Sequence, residues 1–127
     1  MAQHIWPLTI LLAGSVAGPA FASGLFDDGY GPCGNGLSTP AVVACIQGKT
    51  QVADRRLNLA YAGLQCSVDA GQREPLRAAQ RLWVRYRDAN CRFYGAQDGT
   101  VSSVKAAECL HAMTDARAAE LEDAAKP

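Results

Sequence analysis

The run Pro75–Gly95, PLRAAQRLWVRYRDANCRFYG, constrains the fold of this chain more than any other stretch. Pro75 suits a first helical position and Gly95 suits a left-handed stop, so the spacing predicts one helix between them. At about 1.5 Å per residue, roughly twenty residues span about 30 Å, the width of a small domain. Turning about 100° per residue, Arg77, Arg81, Arg85, Asp88 and Arg92 fall in one narrow sector. Opposite them lie Leu76, Ala79, Trp83, Tyr86, Phe93 and Tyr94, and Ala78, Leu82 and Ala89 widen that side. Three polar residues, Gln80, Arg87 and Asn90, also fall on it. So broad an apolar sector packs against two neighbours, which makes this the expected central helix.

Residues 1–22 read as an export signal rather than part of the fold. Ile5 to Ala17 is apolar apart from Pro7, Thr9, Gly14 and Ser15, and Ala20-Phe21-Ala22 supplies the small residues a signal peptidase reads. The run is shorter than the ~20 residues a membrane span needs, and no membrane span is expected after cleavage. The 105 residues left of 127 make one domain, marginal in size without cross-links. All five cysteines, Cys33, Cys45, Cys66, Cys91 and Cys109, lie in that part, and in an oxidising compartment they read as disulfides. No two are closer than twelve positions, which speaks against a zinc site. With one left over, five cysteines allow fifteen ways of forming two bridges, so composition leaves the pairing open. The 12 basic and 12 acidic residues cancel, which argues against nucleic acid as a partner despite the arginine stripe.

Along the chain, residues 23–36 carry five glycines and no periodicity and read as a flexible, exposed leader. The helical domain is expected over residues 37–124. Ser38-Thr39-Pro40 starts a short leading helix that ends near Gly48. A second helix runs from about Thr50 to Gln65, with Ala53, Leu57, Ala60, Tyr61 and Leu64 on one face and Asp54 and Asn58 at its edge. A turn at residues 66–71 leads into the Pro75 helix, and a loop at residues 96–100 leads out of it. The last helix, from Ser102 or Ser103 to Ala124, carries Ala106, Cys109, Leu110, Met113, Arg117 and Leu121 on one face. Glu108, His111, Asp115 and Glu122 fall on what reads as its outer face. The class expected is all-α: a small, disulfide-linked antiparallel bundle of three main helices with a short leading helix.

Catalytic signals are sparse. His111, the sole histidine beyond the signal, reads as a solvated residue among acids rather than a general base. No Ser or Cys has a visible base partner, and no phosphate loop or metal-spaced set of Asp, Glu and His occurs. Neither an enzyme, a metal nor a cofactor is expected. Like charges four apart oppose helix formation by a few tenths of a kcal/mol, so Arg81, Arg85 and Arg92 are read either as a solvated face or as a contact surface for an acidic cleft or an anionic envelope polymer.

Cys45, Asp54-x-x-Leu57-Asn58-x-x-Tyr61, Gln80-Arg81-x-Trp83-x-x-Tyr86-Arg87-Asp88-x-x-Cys91, Cys109 and Thr114-x-x-Arg117-x-x-x-Leu121 together resemble the LprI-type lysozyme-inhibitor N-terminal domain family, from about Cys33 to Leu121. The Trp-x-x-Tyr-Arg-Asp-x-x-Cys run is its most specific part. The resemblance implies a small exported helical domain and, for some members, inhibition of lysozyme. It favours bridges Cys33–Cys45 and Cys91–Cys109, as does the placement of Cys91 near one helix end with Cys109 on the next helix. Cys66 is outside the pattern and is left over, available for a dimer.

Arg87 and Arg117, both on apolar faces, each need a partner, and Asp54 is the one expected for Arg87. The expected protein is periplasmic or secreted and inhibits lysozyme by occluding its cleft. The contact is expected through the loop carrying Asp98 and Gly99 or through Arg81, Arg85 and Arg92. The alternative is an accessory envelope module that holds another protein or a glycan.

Overall fold

The computed structural model of the protein describes residues 33–34 and 36–126. The expected export signal and most of the leader lie outside those residues. Among the described residues three helices make up the fold: α1 (Thr39–Ser67), α2 (Ala70–Gly95) and α3 (Val101–Ala124). Among the described residues there is no strand, and no helix is long and apolar enough to cross a membrane.

The leading helix and the first main helix are one element. Val42, Ile46, Ala53, Leu57 and Leu64 are all buried along α1, at spacings of four, seven, four and seven. That heptad-like stripe passes Gly48 without interruption. A helical glycine costs about 1 kcal/mol relative to alanine, whereas burying each large aliphatic side chain on either side of it contributes about 2 kcal/mol. The packing therefore carries the helix through the expected stop. Thr50 turns its hydroxyl back to the Ile46 carbonyl at 3.0 Å, so this β-branched polar residue is satisfied within the helix.

Helix α2 begins five residues before Pro75. Asp69 caps it, its carboxylate accepting from the Gln72 amide at 2.9 Å. Pro75 lies inside the second turn, where it forgoes the bond to the Gly71 carbonyl. Gly71 is exposed, so water can take that place. Gly95 is the last residue of α2 but has no positive φ; among the described residues only Gly36 and Gly99 do. A side chain at Gly95 would begin 3.2 Å from the Ala106 Cβ, so glycine is used there for a close approach of α2 to α3.

The central helix is α3, not α2. It packs along both other helices, while α1 and α2 approach each other little. Val42 and Ile46, early in α1, share a cluster with Val104 and Ala107, early in α3. Leu57 and Leu64, late in α1, share another with Ala118 and Leu121. The two helices therefore run parallel, with α2 antiparallel to both. On α3, Val104, Ala107, Ala118 and Leu121 face α1 in these clusters. Cys109 and Arg117 lie on its second seam, against α2. Small residues at 107 and 118 let α1 come close. Of α2 itself, only Cys91 is fully buried. Leu76 and Trp83 pack partly against the core, whereas Leu82, Tyr86 and Phe93 are exposed. The broad apolar sector of α2 thus splits, with only one side of it used for folding.

Two disulfides, Cys33–Cys45 and Cys91–Cys109, tie the molecule together, and Cys66 is free and exposed. Cys33, in the stretch read as an exposed leader, is fully buried in the Val42–Ile46 cluster.

The face of α3 that reads as outward meets α1 instead. Arg56 donates from Nε and Nη2 to the two carboxylate oxygens of Glu122, at 2.9 and 2.7 Å, and from Nη1 to Asp115. Those hydrogen bonds hold the Glu122 carboxyl below the ordinary carboxylate range. A carboxyl depressed in the folded state contributes stability that is complete above its unfolded value and is lost as pH falls through the folded one. The difference in urea stability between the wild type and Glu122→Gln should be full above about pH 5 and narrow below about pH 4.3. A difference that stays constant down to pH 2 would show that the Arg56 bridge does not act on folding.

Candidate functional site

The residues of the longest sequence motif meet at the α2–α3 seam. Gln80 accepts from Arg117 Nε at 3.1 Å, and Arg117 also pairs with Glu120 at 2.7 Å. Arg87 donates to the hydroxyl of the fully buried Thr114 at 3.4 Å. Both guanidinium groups stand over the Trp83 ring, 5.1 Å and 5.9 Å from its centroid. This stacking lets two cations share one apolar site, because the ring face is negative and the charged edges still find oxygen acceptors. Below them, Asn90 Nδ2 approaches Cys109 Sγ and Met113 Sδ at 3.5 and 3.4 Å. Leu57, Cys91 and Leu121, from the same set of motifs, are core residues.

The expected Arg87–Asp54 pair is not formed. Arg87 takes Asp88, its chain neighbour, at 2.8 Å, and Asp54 accepts from Asn58 at 3.2 Å. Because α3 separates α1 from α2, Asp54 and Arg87 face each other across an open groove of about 630 Å³ floored by Ala106 and Leu110. A second hollow, about 460 Å³, shares that floor and is walled by Asp88, Cys91, Arg92 and Gly95. A third, about 280 Å³, lies between Tyr61 and the α2 residues Arg77, Arg81 and Arg85. Arg77, Arg81 and Arg85 thus border a furrow between α1 and α2. Arg77 and Arg81 are tied to Glu74 at 3.0 and 3.3 Å. Arg85 and Arg92 have no ion-pair partner among the described residues.

The loop between α2 and α3 stands at one end of the bundle. Gly99 has φ +97°, the left-handed region that favours glycine. Ser102 and Ser103 donate their hydroxyls to the carbonyls of Gly99 and Thr100 at 2.7 and 2.9 Å. Lys105 reaches Gln97 at 3.0 Å. Asp98 is exposed beside Gly99 and makes no ion pair among the described residues. The Cys91–Cys109 bridge joins the helices on either side of the loop, and Cys33–Cys45 sits at the same end, against Val104 and Ala107. His111 is half-buried, its Nδ1 enclosed without a partner. Among the described residues, no group of His, Cys, Asp and Glu is arranged to hold a metal ion.

Arg56 is the residue that sequence reasoning missed. Its signal was present: Asp115 and Glu122 lie seven residues apart, two turns along one face of α3, and a bidentate cation on a parallel helix answers that spacing.

These features define a disulfide-clamped three-helix domain in which Gln80, Trp83, Arg87, Thr114 and Arg117 meet at the α2–α3 seam and the loop is presented at the clamped end. The chain belongs to the LprI lysozyme-inhibitor family: the family described as lysozyme inhibitor LprI matches residues 33–121. It is similar to the uncharacterized protein R02472 of Rhizobium meliloti (strain 1021), with 31% identity over 106 residues, 72% of this chain and 76% of that protein. No solved structure matches it.

Because Arg117 is nearly buried and bridges Gln80, Glu120 and Trp83, Arg117→Ala should lower stability by about 2 kcal/mol. Arg87→Ala, whose ion pair with Asp88 is more open to solvent, should cost only about 1 kcal/mol. Urea denaturation measures both, and equal effects would show that the stack does not discriminate between the two arginines.

Proposed function

We propose that the protein is exported to the periplasm or beyond, where it binds lysozyme and blocks its active-site cleft, protecting peptidoglycan. Lysozyme cleaves through two carboxylates in an open cleft, and filling that cleft stops the reaction without any chemistry from the inhibitor. One observation carries the choice of surface: the Asp98 loop projects from the end where both disulfides lie. A loop ordered before binding loses less conformational entropy on complex formation. Asp98 is free to meet cations on the cleft rim. The arginine stripe is the weaker choice for this partner, because lysozymes are commonly basic and like charges repel on approach.

A second reading has an observation of its own. Gln80, Trp83, Arg87, Thr114 and Arg117 are spent on packing, so this part of the signature maintains the fold and leaves the bound partner unspecified. On that reading the protein is an accessory envelope module holding another protein or a glycan.

The oxidised protein should slow lysis of a peptidoglycan suspension at micromolar excess over lysozyme. Replacing Ala96–Thr100 with a Gly/Ser linker should abolish the effect while the helical circular-dichroism signal is retained. If the intact protein fails against C-type, G-type and I-type lysozymes alike, the accessory-module reading stands. If the linker variant still inhibits, the contact lies elsewhere on the surface.

A further inference from the structure

Helix α2 uses one side of its apolar sector for folding and leaves the other uncovered. Leu82, Tyr86, Ala89 and Phe93 follow one another at spacings of four, three and four, which sets them in a single stripe. The three large ones are 63%, 63% and 65% exposed. Scattered apolar side chains on a surface need no explanation, but a continuous row of them does. Nothing in the fold requires this row, since α2 packs on α3 through Trp83, Arg87 and Cys91, on its other side.

One edge of the stripe is basic. Arg81, Arg85 and Arg92 project along it, and Arg85 and Arg92 have no ion-pair partner among the described residues. The opposite edge carries Gln72 and Asn90, without charge. The acids nearest the basic edge are already engaged, Glu74 with Arg77 and Arg81, and Asp88 with Arg87. A chain whose overall charge is zero thus keeps a local positive rim beside an exposed apolar row.

We propose that this face of α2 lies on an anionic phospholipid surface. A helix that presents Leu, Tyr and Phe between polar flanks, one of them rich in arginine, rests in the plane of the headgroups. The rings and the leucine enter the acyl boundary, and the guanidinium groups stay with the phosphates. From Leu82 to Phe93 the row is about 16 Å long, and it stands on the side of α2 away from α3, so a flat, yielding surface can reach all of it. A second copy of the chain is a poorer occupant: a two-fold axis that pairs the stripes antiparallel also brings the two arginine edges together. A basic protein is repelled by the same edge. The proposal stands apart from lysozyme inhibition, which is assigned to the Asp98 loop and read in a different assay.

The test uses the oxidised protein recovered from the periplasm of an expressing cell. It is co-sedimented with vesicles of equal parts phosphatidylglycerol and phosphatidylcholine, and with vesicles of phosphatidylcholine alone. Because Ile5–Ala17 is apolar as well, the comparison that decides is among variants that differ only in α2. The wild type should partition onto the anionic vesicles and release with salt. Arg85→Gln with Arg92→Gln should weaken that partitioning about thirtyfold, from about 1 kcal/mol per arginine near an anionic surface. Leu82→Ser with Phe93→Ser should abolish it, with the circular-dichroism spectrum and the lysis assay unchanged. Equal binding to both vesicle types, or anionic binding that survives either pair of substitutions, overturns the proposal. So does a dimer in sedimentation velocity that the Leu82→Ser/Phe93→Ser pair dissolves, since the stripe would then be covered by a second copy.

Discussion

Everything in this fold depends on α3 having two seams. A helix in a small bundle ordinarily buries one stripe, but α3 must meet α1 on one side and α2 on another. It does so by alternating small residues with large ones. Ala107 and Ala118 admit α1 closely, and Cys109 and Arg117 address α2. Because it buries Thr114 and Arg117 and exposes Val101, Ala116 and Ala119, α3 has little amphipathic contrast, although it is the most thoroughly packed element of the molecule. Its neighbour α2 has strong contrast and little burial. Amphipathic contrast is thus greatest here in the helix that lies half outside.

Arginine is used in three distinct ways here. Arg56 clamps α1 to α3 by a two-point bond to Glu122 and a third to Asp115. Arg87 and Arg117 flatten against Trp83 and let a polar network run through a seam that would otherwise need large aliphatic residues. Arg81, Arg85 and Arg92 stay at the surface. The planar guanidinium suits the first two roles and an ammonium does not, since neither bidentate pairing nor stacking on a ring is open to lysine in the same way.

Much of the architecture was legible in the residues. The positions of helix-capable segments follow from Ser38-Thr39-Pro40, the turn around Asp69 and the glycine-containing loop after Gly95, all of which are local chemistry. Continuity through Gly48 was not, because it is decided by Val42, Ile46 and Ala53 acting together against one unfavourable residue. The assignment of α2 as the centre also misled, since the wheel shows that an apolar side exists but not how much of it finds a partner. Arg56 escaped notice because its meaning lies in the spacing of two acids on another helix. The Asp54–Arg87 pairing failed for a related reason: α3 stands between the helices that carry them. For the surfaces that meet other molecules the signal is weaker still. The loop around Asp98 carries glycine and polar residues with no periodicity, and its composition does not distinguish a binding loop from a simple connection.

The two cross-links are not spread along the bundle. Both lie in the half that holds the start of α1 and the α2–α3 loop, while the opposite half, around the α1–α2 turn, is kept together by Leu57, Leu64, Ala118, Leu121 and the Arg56 clamp. The molecule is thus a tweezer with a welded hinge and non-covalent tips. Thermal opening should start at the tips, where α3 is held to the α1–α2 turn by non-covalent contacts alone, and amide hydrogens near residues 64–72 should exchange before those around Cys91 and Cys109. Cys66 sits among those residues and is exposed even in the closed fold, so the one free thiol of the described residues stands at the end of the bundle that no disulfide holds.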